Sequence, residues 1–202
     1  MTRRINATLL LLLSASILNA QVSRQTVQIA GMSTGENKRV ISRTKESSAE
    51  AYLKRGLVHS AAGEWESAIS EFSKAIRIEP LNAVAFYNRG NALQAQAKFE
   101  MAISDYDEAI RIDSRLAEAY SNRGVAKQAI GDTSGALADY DAAINIDPRN
   151  ARAYANRGLT RLFIGQRAKA EDDFTHCRSV DPTLAESLEK RINKVKQRLS
   201  GR

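Results

Sequence analysis

Cysteine and histidine are almost missing from these 202 residues, which contain one of the first and two of the second. A lone Cys177 cannot close a disulfide within its own chain, so nothing in the fold can depend on one. It is expected to be a buried small apolar residue. His59 and His176 stand far apart and in different local contexts, with no partner at metal-ligand spacing. Glycine-rich phosphate loops, serine elbows and paired-cysteine motifs are lacking as well. The acidic run Glu171-Asp172-Asp173 reads as a solvated helix face. These gaps argue against an enzyme and against any cofactor or metal. Proline occurs only three times, at Pro80, Pro148 and Pro182, leaving long stretches free to be helical.

What the chain does have is a period. Gly56, Gly90, Gly124 and Gly158 follow one another at intervals of 34 residues, and Ala68, Ala102, Ala136 and Ala170 keep the same spacing. An aromatic precedes each glycine by four residues (Tyr52, Phe86, Tyr120, Tyr154), and a second aromatic column follows the alanines at Phe72, Tyr106, Tyr140 and Phe174. A small residue comes next (Ala75, Ala109, Ala143, Cys177), then a branched aliphatic (Ile78, Ile112, Ile146, Val180). Proline follows in three units, with Ser114 in its place in the second. Such strict self-similarity is the signature of stacked supersecondary units. Within each unit the apolar spacing predicts two amphipathic helices, as at Ile103, Tyr106 and Ile110. A glycine inside a helix costs about 1 kcal/mol relative to alanine, so four in phase require close packing, expected here between the glycine and alanine columns.

Over residues 49–182 these columns resemble the tetratricopeptide repeat. The resemblance implies an all-α, right-handed solenoid of four helix–turn–helix units (49–82, 83–116, 117–150, 151–182), and residues 184–199, with one apolar stripe, are expected to cap it. It also implies a non-enzymatic scaffold for protein or peptide partners, bound in the concave groove lined by first helices.

Two polar columns follow the period. Arg55, Arg89, Arg123 and Arg157 precede the glycines, and Glu71, Asp105, Asp139 and Asp173 stand sixteen residues later. These predict an ion pair in every unit. Asn88, Asn122 and Asn156, with Lys54 in the first unit, occupy the phase that faces the groove in the tetratricopeptide family. An amide both donates and accepts, so this column suits the backbone of an extended peptide, although asparagine bonded within the scaffold is an equal alternative. Tyr87, Val125 and Leu159 are the expected side-chain readers, with Asn91 and Arg152 beside them. The family's carboxylate clamp is matched by Asn91, Asn122 and Arg152, but Tyr87 and Asn156 stand where cations are expected, so a true clamp is not. The rival to groove binding is a structural role in a cell-envelope assembly, through the repeat ends or the convex face. The fourth unit departs most, with Glu171 and Arg178 at positions that are aliphatic in the earlier three.

The ends of the chain differ from its middle. Basic Arg3-Arg4, the apolar run 7–18 and Leu18-Asn19-Ala20 read as a secretory signal peptide over 1–20. The run falls short of the ~20 apolar residues that span a bilayer. Residues 21–48 read as a polar, flexible leader. An exported, periplasmic protein is expected, with secretion or signal anchoring as alternatives and no stable membrane span after cleavage. The net charge of +7 is concentrated in the two tails, while 49–183 carries 17 basic and 19 acidic groups. Nucleic acid is therefore not an expected partner, and weak contact of the basic tails with anionic membrane stays open.

Overall fold

The computed structural model describes residues 48–200; the expected signal peptide and all but the last residue of the leader lie outside that range. Helices up to Ile112 form one compact body and those from Ala117 onward a second. The first body contains α1 (Ala49–Ala61), α2 (Trp65–Ile78), α3 (Ala83–Ala95) and α4 (Phe99–Ile112). The second contains α5 (Ala117–Ala129), α6 (Thr133–Ile146), α7 (Ala151–Phe163), α8 (Arg167–Val180), a short 3-10 turn (Pro182–Leu184) and α9 (Ala185–Ser200). No strand occurs among the described residues, and none of their helices is long and apolar enough to cross a membrane.

Helices α1, α3 and α7 each start at a side chain that receives a free amide of the first turn. Ser48, Asn82 and Asn150 accept from the backbone N–H three residues on, at 3.1, 2.9 and 3.0 Å. Second helices end at Ile78, Ile112, Ile146 and Val180, always in the same phase. Because Ile112 stops there with Ser114 in place of proline, proline reinforces this stop without being needed for it.

Each first helix packs along its own second helix, and the glycines explain how closely. A Cβ built on Gly56, Gly90, Gly124 or Gly158 would lie 2.4, 2.7, 2.7 or 2.6 Å from a ring carbon of Phe72, Tyr106, Tyr140 or Phe174. The glycine column is thus paired with the second aromatic column. This corrects the expected glycine–alanine packing, since only at Gly124 is the alanine among the nearest atoms, with the Ala136 carbonyl oxygen 3.1 Å from the added Cβ. The alanines serve the same interface from the second helices, where Ala68, Ala102 and Ala136 are fully buried and Ala170 nearly so.

A further phase sits in the turn between the two helices of each unit. Gly63, Gly131 and Gly165 have φ of 75°, 89° and 86°, and Ala97 adopts φ 58° in the same position. Left-handed backbone is free for glycine and costs an L-residue about 1–2 kcal/mol. Ala97→Gly is therefore expected to stabilise the protein by about 1 kcal/mol, read as a higher urea midpoint. An unchanged or lower midpoint would show that Ala97 is not strained.

Candidate functional site

The charged columns meet as their spacing predicts. Arg55 Nε donates to Glu71 Oε2 at 2.6 Å, and Arg89 grips Asp105 with Nε and Nη2, both at 2.7 Å. Arg123 holds Asp139 the same way at 2.9 and 2.6 Å, and Arg157 Nη2 reaches Asp173 at 2.6 Å. Two arginines also reach back to the preceding second helix, Arg89 to Ser73 Oγ at 3.1 Å and Arg157 to Asp141 Oδ1 at 2.5 Å. Each guanidinium lies over the aromatic three residues before it, Tyr52, Phe86, Tyr120 or Tyr154, at 4.3 to 5.5 Å from the ring centre. That seat explains the first aromatic column, a role spacing alone does not assign. Burial raises the pKa of Glu71, but hydrogen bonds from Lys74 and Arg55 outweigh it and hold the carboxyl below its ordinary range. These arginines are committed to the scaffold.

The expected groove residues are less uniform. Asn88 and Asn156 are both buried, and each uses half of its amide within the protein. Asn88 Nδ2 donates to Val84 O at 2.8 Å, and Asn156 Oδ1 accepts from Arg191 Nη2 at 2.9 Å. The other halves, Asn88 Oδ1 and Asn156 Nδ2, have no partner among the described residues and do not belong to their fully buried orphan atoms. Asn122 is almost completely buried.

Tyr87, Val125 and Leu159 are also buried, at 7%, 5% and 4% exposure, and so do not project as the expected side-chain readers would. The cause is the second aromatic column. Val125 packs with Ala136 and Tyr140, Leu159 belongs to the cluster around Phe174, and the Tyr87 ring lies 6.2 Å from Tyr106. Asn91 accepts from the Tyr106 hydroxyl at 2.8 Å. Gln94 Oε1 lies 3.1 Å from the same hydroxyl, while Gln94 Nε2 is buried without a partner. Arg152 is half-buried, and Lys54 is exposed and pairs with Glu50 at 2.7 Å.

The last helix contributes what sequence spacing does not disclose. α9 buries Leu188, Ile192 and Val195 against the second body and lies chiefly against α7. Arg178 of α8 donates to Glu189 of α9 at 2.6 Å and lies 3.4 Å from Glu171. The two departures of the fourth unit thus serve the closing helix: a charged pair replaces aliphatic contact where α9 docks.

The remaining reactive groups are quiet. Cys177 is fully buried, and burial pushes its thiol pKa up. His59 Nδ1 pairs with Glu64 at 2.6 Å, and His176 stacks on Tyr154 at 5.1 Å between ring centres. No group of three His, Cys, Asp or Glu suited to a metal occurs among the described residues.

Tandem helical hairpins sharing one set of contacts define an α-solenoid repeat protein. Residues 83–116 match the family described as tetratricopeptide repeat, and residues 60–97 and 129–162 match the description TPR repeat. The chain belongs to the tetratricopeptide repeat family, whose members are protein–protein interaction scaffolds. Among solved structures, MamA is 26% identical with a TM-score of 0.65, over 74% of this chain and 87% of that one. The first TPR of Spaghetti (RPAP3), bound to the HSP90 peptide SRMEEVD, is 27% identical with a TM-score of 0.56, over 57% of this chain and 92% of that one. YrrB shares the fold at 23% identity and a TM-score of 0.64, over 83% of this chain and 88% of that one. No curated protein sequence matches.

Proposed function

We propose that the protein is an exported scaffold that holds extended peptide segments of a partner on the first-helix faces of each of its two bodies. One observation carries the reading. Asn88 and Asn156 stand in equivalent phases, each pinned through one half of its amide while the other half is unused. A polar group already fixed by the scaffold loses little entropy on binding. A free acceptor and a free donor of this kind suit the N–H and C=O of peptide backbone. The peptide bound to the RPAP3 domain supports the same class of ligand. Tyr87, Val125 and Leu159 would shape the apolar floor beneath the peptide. The signal-peptide pattern over residues 1–20 supports export, with the periplasm as the setting.

The test is capture in the native compartment. Photocrosslinking with the parent protein and with Asn88→Ala/Asn122→Ala/Asn156→Ala is expected to recover a partner with the parent alone, provided the helical signal of the variant is unchanged. Equal capture by a folded variant would reject the inner face and favour assembly through the repeat ends or the convex face.

A further inference from the structure

Two solvated phases of the period turn apolar in the first body alone. Leu81 stands where the later units have Arg115, Arg149 and Thr183, and Val84 where they have Glu118, Arg152 and Glu186. The scaffold therefore does not require apolar side chains at these positions. Leu81 is 71% exposed and Val84 49%. Ile78, at the end of α2, is 47% exposed, although the same phase is half-buried at Ile112, Ile146 and Val180. With exposed Pro80 they make a short apolar edge over residues 78–84. Glu79 is the one acid in that stretch; its Oε2 accepts from Asn82 Nδ2 at 2.9 Å, and exposed Arg77 stands just before the edge. Apolar side chains grouped in this way, unlike ones scattered singly over a surface, mark a contact site.

The topology puts a cluster of cations at the same end of this body. α1 and α2 are joined only by residues 62–64 and pack side by side, so they run antiparallel and Ile78 returns to the end at which α1 begins. α3, which lies against α2, starts there as well, at Ala83. The chain enters α1 through Ser48, and the stretch before it carries Lys38, Arg39, Arg43 and Lys45 against Glu36 and Glu46. At up to about 3.5 Å per residue, Lys45 lies within about 10 Å of Ser48 and Lys38 within about 35 Å. Cations beside projecting apolar side chains suit an anionic lipid surface: the cations meet the headgroups and the apolar groups enter the boundary beneath them. A second protein is a poorer fit, because these few side chains fall far short of the ~800 Å² that each partner of a stable complex contributes.

We propose that the apolar edge Ile78, Pro80, Leu81 and Val84 and the basic residues Lys38, Arg39, Arg43 and Lys45 together dock the first body on an anionic membrane surface, with Leu81 and Val84 entering the headgroup region. The inference goes beyond the peptide-binding reading and is independent of it.

The experiment uses the processed chain 21–202, which keeps every described helix and lacks the apolar run 7–18 that would bind lipid by itself. Co-sedimentation with mixed phosphatidylglycerol–phosphatidylcholine vesicles is compared with phosphatidylcholine alone. The parent is expected to bind the anionic vesicles at least tenfold more tightly, and less so as salt rises. Changing Lys38, Arg39, Arg43 and Lys45 together to Gln should remove that preference. Leu81→Thr/Val84→Glu, which copies Thr183 and Glu186, is expected to weaken binding about tenfold. Met101→Glu adds the same charge at an exposed apolar position near the start of α4, at the other end of this body, and should leave binding nearly unchanged. Leu81→Trp, read against the parent's single Trp65, should shift to the blue on binding and be quenched by brominated lipid. Purely electrostatic adsorption would not give that signal, and it does not depend on the double variant folding. Equal binding to both vesicle types, no binding, a folded Leu81→Thr/Val84→Glu that binds like the parent, or a Leu81→Trp emission that lipid leaves unaltered would overturn the proposal. A parent dimer in sedimentation equilibrium that the double variant dissociates would overturn it in favour of a second copy on this edge.

Discussion

Arg89→Met is expected to lower the folding free energy by about 3 kcal/mol, more than the same change at Arg123 or Arg157. The ordering follows from what each substitution leaves behind. Asp105 is 5% exposed and has Arg89 as its only cation among the described residues, so it would remain buried, charged and unpaired. Asp139 would keep Lys127 at 3.0 Å, and Asp173 would keep Arg161 at 2.8 Å. Removing one partner of a buried pair costs far more than replacing both by apolar groups. Arg89→Met combined with Asp105→Leu should therefore recover most of the loss. Urea unfolding of the four variants measures the series. Equal losses at all three arginines, or no recovery in the double variant, would show that the bridges act only as surface pairs.

Gly124→Leu is expected to cost about 3 kcal/mol, at the upper end of ordinary overpacking. Three atoms would meet the new side chain at its first carbon: two of the Tyr140 ring at 2.7 and 3.0 Å, and the Ala136 backbone oxygen at 3.1 Å. A ring can move aside, but a carbonyl within a helix cannot do so without shifting the helix. Gly124→Ala gives the milder comparison, because about 1 kcal/mol of better helix propensity offsets part of its clash. Thermal melting of both variants measures the difference. A Gly124→Leu protein as stable as the parent would mean that the helices of this hairpin are not held at glycine distance.

The repeat framework is legible in the sequence because it is local and periodic. Glycine, arginine and acid columns each recur four times, and a 34-residue phase carries their positions from one unit to the next. The glycine partner is less legible, since sequence spacing does not say whether an alanine backbone or an aromatic ring fills the space opposite. The groove readers depart from expectation for a related reason. Val125 and Leu159 sit at inner-face phases, yet the tyrosine and phenylalanine of the second helices draw them into the core. The contact of Arg191 with Asn156 is illegible because it depends on the docking of α9, which buries Leu188, Ile192 and Val195 together. Arg178 likewise reads as degeneracy until Glu189 stands opposite it.

Ile192 stands 34 residues after Gly158, as Arg191 does after Arg157, and this has a consequence for how such a scaffold changes over generations. Arrays of this kind lengthen by duplication, each new module bringing its own glycine, arginine and acid to join the last. Here a hairpin grafted after α9 would meet a branched side chain where its ring must fit, and an arginine already turned toward Asn156. Repeating the same glycine–ring packing on α9 therefore requires Ile192→Gly together with a new acid to draw Arg191 back into the column.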